Sequence, residues 1–231
     1  ENNINNNFYT NYLASWCLRY AAEQVTTLQK EDITKEETQQ WLHIAQNIYL
    51  PYSEKYGVYL QQDGFLNKAL KPVTAIPAEE RPLNQHWSWD RILRSPYIKQ
   101  ADTLQGFYFF EDHFTKEELQ RHYEFYEPFT VHESSLSPCV HSVLASVLGK
   151  TDEAYTLYLR TARLDLDDYN KEVHEGLHIT SMAGTWLSIV EGFAGMRVKN
   201  GKLHFTPRLP KHWKSLSFKV IFQGETKEIK L

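Results

Sequence analysis

The sequence predicts a mainly α chain, read as part of a helical toroid, followed by the start of a small β domain. Three observations carry this. About seven stretches with apolar residues at three- and four-residue spacing fill most of residues 9–193. The connections between them alternate between short turns and long polar loops. Past Met196 the apolar period falls to two.

The elements follow in order. An Asn-rich opening leads into Tyr9–Leu28, with Tyr12, Leu13, Trp16, Cys17, Tyr20 and Ala21 on one face. A second helix runs from Thr34 to Tyr49; Thr34-Lys35-Glu36-Glu37 resembles a capping box and Pro51 stops the helix. Residues 57–70 read as extended and turn-like, and Pro72, Pro77 and Pro82 mark a loop. After it comes an aromatic and polar stretch, His86-Trp87-Ser88-Trp89-Asp90. A helix is expected from Tyr97 to Asp112, and another opens at Thr115 and ends before Pro128. Ser134–Leu148 and Asp152–Leu164 form an antiparallel pair across Gly149-Lys150, and Thr180–Phe193 is the last helix. Arg197–Phe205 is a hairpin on Asn200-Gly201, and Phe218, Val220 and Phe222 alternate as a further strand. The domain boundary falls between residues 1–196 and 197–231.

Composition narrows the function classes. The 231 residues carry 25 Lys and Arg against 29 Asp and Glu, a net charge of −4, which disfavours a nucleic-acid surface. No run of eighteen apolar residues is present to span a membrane. Cys17 and Cys139 lack metal-ligand spacing, so no metal site is expected, and two cysteines suit a reducing, cytoplasmic setting. Aromatic residues reach 14%, which fits a sugar-stacking site and fits a large helical core equally well.

Three polar loops are candidates for chemistry. In Tyr97–Asp102, Lys99 and Gln100 pair a cationic donor with a two-way amide, suited to sugar hydroxyls; a solvated helix face uses the same residues. In Val131–Pro138, Glu133 stands between His132 and the hydroxyls of Ser134 and Ser135. It reads either as a general base or as helix-start chemistry. In Glu175–Trp186, Thr180 and Ser181 fall where a helix begins, with His178 before them and Gly184 in the first turns. Unpaired N–H groups there attract an anion, although capping and tight packing account for the same residues. Arg163–Asn170 carries three Asp residues but lacks the Gly and distal Glu of a calcium loop, and reads as a loop braced by Arg160 or Arg163.

Taken together, these segments resemble glycoside hydrolase family 65. The Glu1-Asn2-Asn3 to Asn11 opening, Tyr97–Asp102, His132–Ser137 and Glu175–Gly184 follow one another as they do in that family. The wording around His86–Asp90 and Phe125–Pro128 is most similar to members that split maltose; others split kojibiose, nigerose or trehalose. The resemblance implies an (α/α)6 barrel, of which this chain is the later part, followed by a C-terminal β domain. It also implies inverting phosphorolysis of an α-linked glucose disaccharide to β-glucose 1-phosphate and glucose, by a homodimer. Inorganic phosphate is the co-substrate and no cofactor is needed. Lys99 and Gln100 then match substrate-binding positions, and Ser134, Ser135, His178, Thr180, Ser181 and Gly184 match the phosphate-binding region. Glu133 matches the base of hydrolytic members. The family's general acid is expected just upstream of Glu1, which would leave the chain alone without its proton donor and inactive.

Phosphate is already nucleophilic, so its attack needs no base, unlike that of water. A bare carboxylate beside it would instead cost on the order of 1–4 kcal/mol. Two other readings stay open: a hydrolase of the same family, and a non-catalytic carbohydrate-binding helical module.

Overall fold

The computed structural model describes residues 4–30 and 32–231. Its longer helices are α1 (Phe8–Thr27), α2 (Lys35–Asn47), then, after the short α3 (Leu83–His86) and α4 (Trp89–Arg94), α5 (Thr103–Phe109), α6 (Lys116–Tyr126), α7 (Ser137–Leu148), α8 (Thr151–Ala162) and α9 (Ile179–Leu187). They stack as two rows. α1 packs on α5, α5 on α7 and α7 on α9, forming an inner row; α2 lies behind α1, α6 behind α5 and α7, and α8 behind α7 and α9. The sequence reads accordingly: α7 is buried at every position from Ser137 to Ser146, whereas α2 buries only Ala45. Between the rows, Phe8, Phe107, Tyr123, Tyr126 and Phe193 are all within 1% of full burial, so much of the aromatic content is core.

Local chemistry fixes the helix ends. The Thr34 hydroxyl accepts the Glu37 N–H at 3.1 Å while Glu37 accepts the Thr34 N–H at 3.0 Å, the expected capping box. Thr115 and Glu118 repeat the device at α6. Pro138 sits in the first turn of α7, where a missing N–H costs nothing.

Several expected boundaries are corrected. The helix predicted from Tyr97 starts only at Thr103, because Ile98 is claimed by a parallel bridge. Its N–H donates to the Phe129 carbonyl at 2.9 Å and its carbonyl accepts the Val131 N–H at 3.0 Å. Residues 134–136 precede α7 instead of opening it. The last predicted helix is α-helical only to Leu187 and widens to a π-helical turn over Ser188–Phe193, where Ser146 donates to the Gly192 carbonyl at 2.8 Å. Helices α3 and α4 fall around the aromatic and polar stretch His86–Asp90, for which no element is expected, α4 capped by the Ser88 hydroxyl.

The β part consists of two hairpins. Strands β3 (Arg197–Lys199) and β4 (Lys202–His204) turn on Asn200 and Gly201, both at positive φ (50° and 68°), as that dipeptide demands. Strands β5 (Ser217–Phe222) and β6 (Glu225–Lys230) turn on Gln223 and Gly224 in the same way (52° and 78°); the sequence pattern points only to the first of these two strands. A further small hairpin, β1 (Tyr52–Ser53) with β2 (Val58–Tyr59), packs on α6.

The accessible surface is 13517 Å², where a compact monomer of this mass would show about 11,000 Å². The excess reflects an open inner face, on which large apolar residues such as Trp89 and Phe109 are each 58% exposed.

Candidate functional site

A groove of about 970 Å³ runs along the inner row. Each inner helix contributes to it: Thr10 from α1, Gln105 from α5, Val140 from α7 and Ala183 from α9. Lys99, Gln100, Glu133, Thr180 and Gly184 all line it, although they come from two loops and from helix α9.

Lys99 and Gln100 are exposed on a loop and not on a helix. The loop is anchored behind them. Asp102, at φ 44°, accepts the Asn7 side-chain amide at 3.0 Å and that of Gln61 at 2.5 Å, which fastens it to the start of α1. A non-glycine residue in this backbone region is strained, and the two amide bonds offset the strain.

Glu133 is 4% exposed, and both of its carboxylate oxygens are engaged. One accepts Arg81 Nε at 2.9 Å and the other accepts the backbone N–H of Leu83 at 2.7 Å. Arg81 also donates to the Val131 carbonyl at 2.7 Å. Neither carboxylate oxygen therefore meets an incoming water without a hydrogen-bond partner already in place. Sequence reasoning missed Arg81; it lies in a proline loop fifty residues away in chain order, and nothing local marks it.

The residues expected around an anion divide. The Ser135 and Thr180 hydroxyls meet at 2.7 Å, forty-five residues apart in sequence, with Thr180 exposed at the start of α9. The Ser134 hydroxyl accepts the Leu136 N–H at 3.2 Å, and Ser181, 3% exposed, donates to the Thr161 carbonyl at 2.7 Å, so both are occupied in holding backbone. Gly184 has no room for a side chain: a Cβ there would lie 2.7 Å from Cys139 Cβ, so α9 approaches α7 at this point. His178 does not stand free. Its Nδ1 donates to Asp165 at 2.5 Å, Asp165 also accepts the His178 backbone N–H at 2.9 Å, and Glu172 lies 3.9 Å from Nε2. That backbone bond, followed by the ring bond, holds the Asp165 carboxyl below its ordinary value. Arg163 braces Asp167 in a two-pronged bond (2.8 and 2.6 Å), as expected, and Arg160, whose guanidinium lies 5.2 Å from the Tyr169 ring centroid of the same loop, also donates to the His132 carbonyl.

One cluster was not expected. Behind the Glu133 loop, Glu127, His132 and His141 bring a carboxylate and two imidazoles together. Glu127 Oε1 accepts from His132 Nε2 at 3.0 Å and Oε2 accepts from His141 Nδ1. Burial raises the Glu127 carboxyl, but the two imidazoles outweigh it and hold it well below the carboxylate range.

Residues 1–187 match the glycosyl hydrolase family 65 central catalytic domain and residues 196–230 match the family's C-terminal domain. The maltose phosphorylase of Bacillus subtilis is 53% identical over 97% of this chain, and the alpha,alpha-trehalose phosphorylase of Thermoanaerobacter brockii 44% over 99%. A solved structure of a candidate kojibiose phosphorylase from the human microbiome superposes with a TM-score of 0.88 at 36% identity, covering 99% of this chain. The chain spans 30%, 31% and 31% of these three proteins respectively. The two rows of helices are therefore part of an (α/α)6 barrel with a small β domain after it, and the chain belongs to glycosyl hydrolase family 65.

Proposed function

We propose that this chain forms the nucleophile side of a disaccharide phosphorylase acting on an α-linked glucosyl disaccharide, with maltose the first choice. Inorganic phosphate attacks with inversion to give β-glucose 1-phosphate and glucose, and no cofactor takes part. The observation that carries the reading is the state of Glu133. The one carboxylate placed like a hydrolase base has its charge met by Arg81 and its second oxygen bonded by the Leu83 N–H. Water would need that base; phosphate does not. In its place the Ser135–Thr180 hydroxyl pair, at the N-terminal end of α9, offers neutral donors where a dianion is tolerated.

In this reading Lys99 and Gln100 hold sugar hydroxyls across the groove, and Asp102 with Asn7 keeps them in place. His178 is oriented by Asp165 at Nδ1, with Nε2 turned toward Glu172 3.9 Å away, and braces the turn that leads into Thr180. The position just upstream of Glu1, where the family resemblance puts the general acid, lies outside the described residues. The maltose preference rests on the similarity to the Bacillus subtilis protein.

The test is glucose release from maltose by the complete protein carrying this sequence, with and without phosphate. Glucose 1-phosphate formed only when phosphate is supplied supports the proposal. Equal glucose release in phosphate-free buffer would replace it with a family hydrolase, and saccharide binding with no turnover of any α-linked glucose disaccharide would leave a binding module. Running maltose, trehalose, kojibiose and nigerose side by side assigns the substrate.

A further inference from the structure

Glu127 stands where a carboxylate is poorly placed. It lies at the C-terminal end of α6, where the helix dipole disfavours an anion, and its side chain is only 23% exposed. Two imidazoles compensate, one on each carboxylate oxygen. Since the carboxyl is ionised, both facing nitrogens are donors: His132 Nε2–H and His141 Nδ1–H. The rings meet edge to face with centroids 4.6 Å apart. The three groups thus divide one carboxylate between two N–H donors, with one nitrogen or oxygen of each within 4.8 Å of the others.

His132 has an uncommon backbone. It is 8% exposed with φ at 54°, a left-handed value that few non-glycine residues take, histidine more readily than most. Three contacts hold it. Glu127 holds the ring at Nε2, Ser137 meets Nδ1 at 3.2 Å, and Arg160 grips the carbonyl with Nε at 3.0 Å and Nη2 at 2.6 Å. The reversal at His132 separates two segments with different duties. Before it, Val131 is tied to Ile98 and to Arg81; after it come Glu133, Ser134 and Ser135, the last touching Thr180. Ser137 Oγ also lies 3.4 Å from the Lys99 carbonyl, so the same contacts reach the second loop of the groove.

We infer that Glu127 is a positioning residue for the anion side of the groove: through His132 it fixes the left-handed turn that delivers Ser135 to Thr180. The inference rests on the phosphorylase reading and deepens it. Glu127 touches no substrate. Its carboxylate determines whether the turn at residue 132 survives, and hence whether two hydroxyls sit together or apart.

The test uses the complete protein and the variants Glu127→Gln, Glu127→Ala and His132→Asn. Asn tolerates the left-handed backbone but is too short to reach Glu127. Maltose and phosphate are varied independently, and phosphate binding is followed separately by calorimetric titration of inorganic phosphate. The KM for phosphate should rise about 10- to 100-fold in Glu127→Ala and in His132→Asn, the loss that one or two charge-assisted hydrogen bonds carry. The isosteric Glu127→Gln should lose less, and the double variant Glu127→Ala with His132→Asn should be no worse than either single change. The KM for maltose should stay within about threefold throughout, since the Lys99–Gln100 loop has its own anchor in Asp102. If Glu127→Ala fails to fold, Glu127→Gln and His132→Asn carry the comparison. A parallel rise of both KM values, additive losses, or stoichiometric zinc in the purified protein would overturn the inference. A wild-type protein that binds phosphate while these variants bind it unchanged defeats the inference alone; one that binds no phosphate defeats it together with the functional reading.

Discussion

Removing Arg81 is the most direct probe of the groove. In Arg81→Ala the Glu133 carboxylate loses its only described ion-pair partner and keeps the Leu83 N–H. Taking one partner from a buried pair costs about 3–5 kcal/mol. Here the carboxylate side chain is 5% exposed but the guanidinium is 32% exposed, so water partly screens the pair. The expected cost is therefore nearer about 2–3 kcal/mol, including the lost bond to the Val131 carbonyl. Urea denaturation of the single variant, of Glu133→Gln and of the double variant forms a cycle. The amide of Glu133→Gln can still accept from the Leu83 N–H without carrying a charge, so Arg81→Ala should cost only about 1 kcal/mol in that background. Equal costs in both backgrounds would refute the claim that Arg81 acts on Glu133. Activity supplies the second readout. With Arg81 gone, Glu133 has no direct ion pair among the described residues and feels only the longer-range charge of Arg160, and the ratio of phosphate-independent to phosphate-dependent glucose release should rise. An unchanged ratio would mean that Glu133 is not placed to activate water at all.

Other predictions concern the frame around the site. His122 is locked neutral, its Nδ1–H donating to the Glu118 carbonyl at 2.7 Å and its Nε2 accepting the Tyr59 N–H at 2.7 Å; burial, the largest effect, pushes its pKa down to about 4. The unfolded chain takes up this proton below about 6.5 and the folded chain does not. Stability is thus complete above that pH and falls by at most about 3 kcal/mol as pH approaches 4. His122→Gln, which can make the same two bonds, should flatten this part of the pH–stability curve; an unchanged curve would show that His122 is not its source. Gly184→Ala should destabilise by about 1–3 kcal/mol, since its Cβ meets Cys139 Cβ at 2.7 Å and Sγ at 2.8 Å. Cys139→Ala should recover only part of that loss in thermal melts, because the Cβ contact persists; full recovery would place the strain at the sulfur alone. Thr115→Ala removes the α6 cap and should cost about 0.5–2 kcal/mol, measured by urea midpoint, with no change in phosphate affinity.

Local rules made much of the scaffold legible. Thr34-x-x-Glu37 names its own helix start because each partner satisfies an N–H of the other within one turn. Asn200-Gly201 names its own hairpin because only such residues readily take two positive φ angles in succession. The change of apolar period near Met196 likewise separated helices from strands. These signals involve neighbours a few residues apart, so order in the chain is sufficient to read them. The expected helix at Tyr97 failed for the opposite reason. Its residues have helical character, but Ile98 finds its hydrogen bonds at Phe129 and Val131, some thirty residues later.

The site divides along the same line. By itself the sequence determined which loops carry polar chemistry, since Lys99-Gln100, Glu133-Ser134-Ser135 and His178-Ile179-Thr180-Ser181 stand out by composition. Tertiary structure alone decided what each side chain is free to do. It tied Glu133 to Arg81 from fifty residues away, drew Asp165 onto His178, brought Ser135 to Thr180, and placed Glu127 between two imidazoles. A carboxylate or imidazole takes its charge and its job from the groups within a few ångströms of it. Those neighbours are set by how the helix rows pack, which no local spacing in the chain encodes.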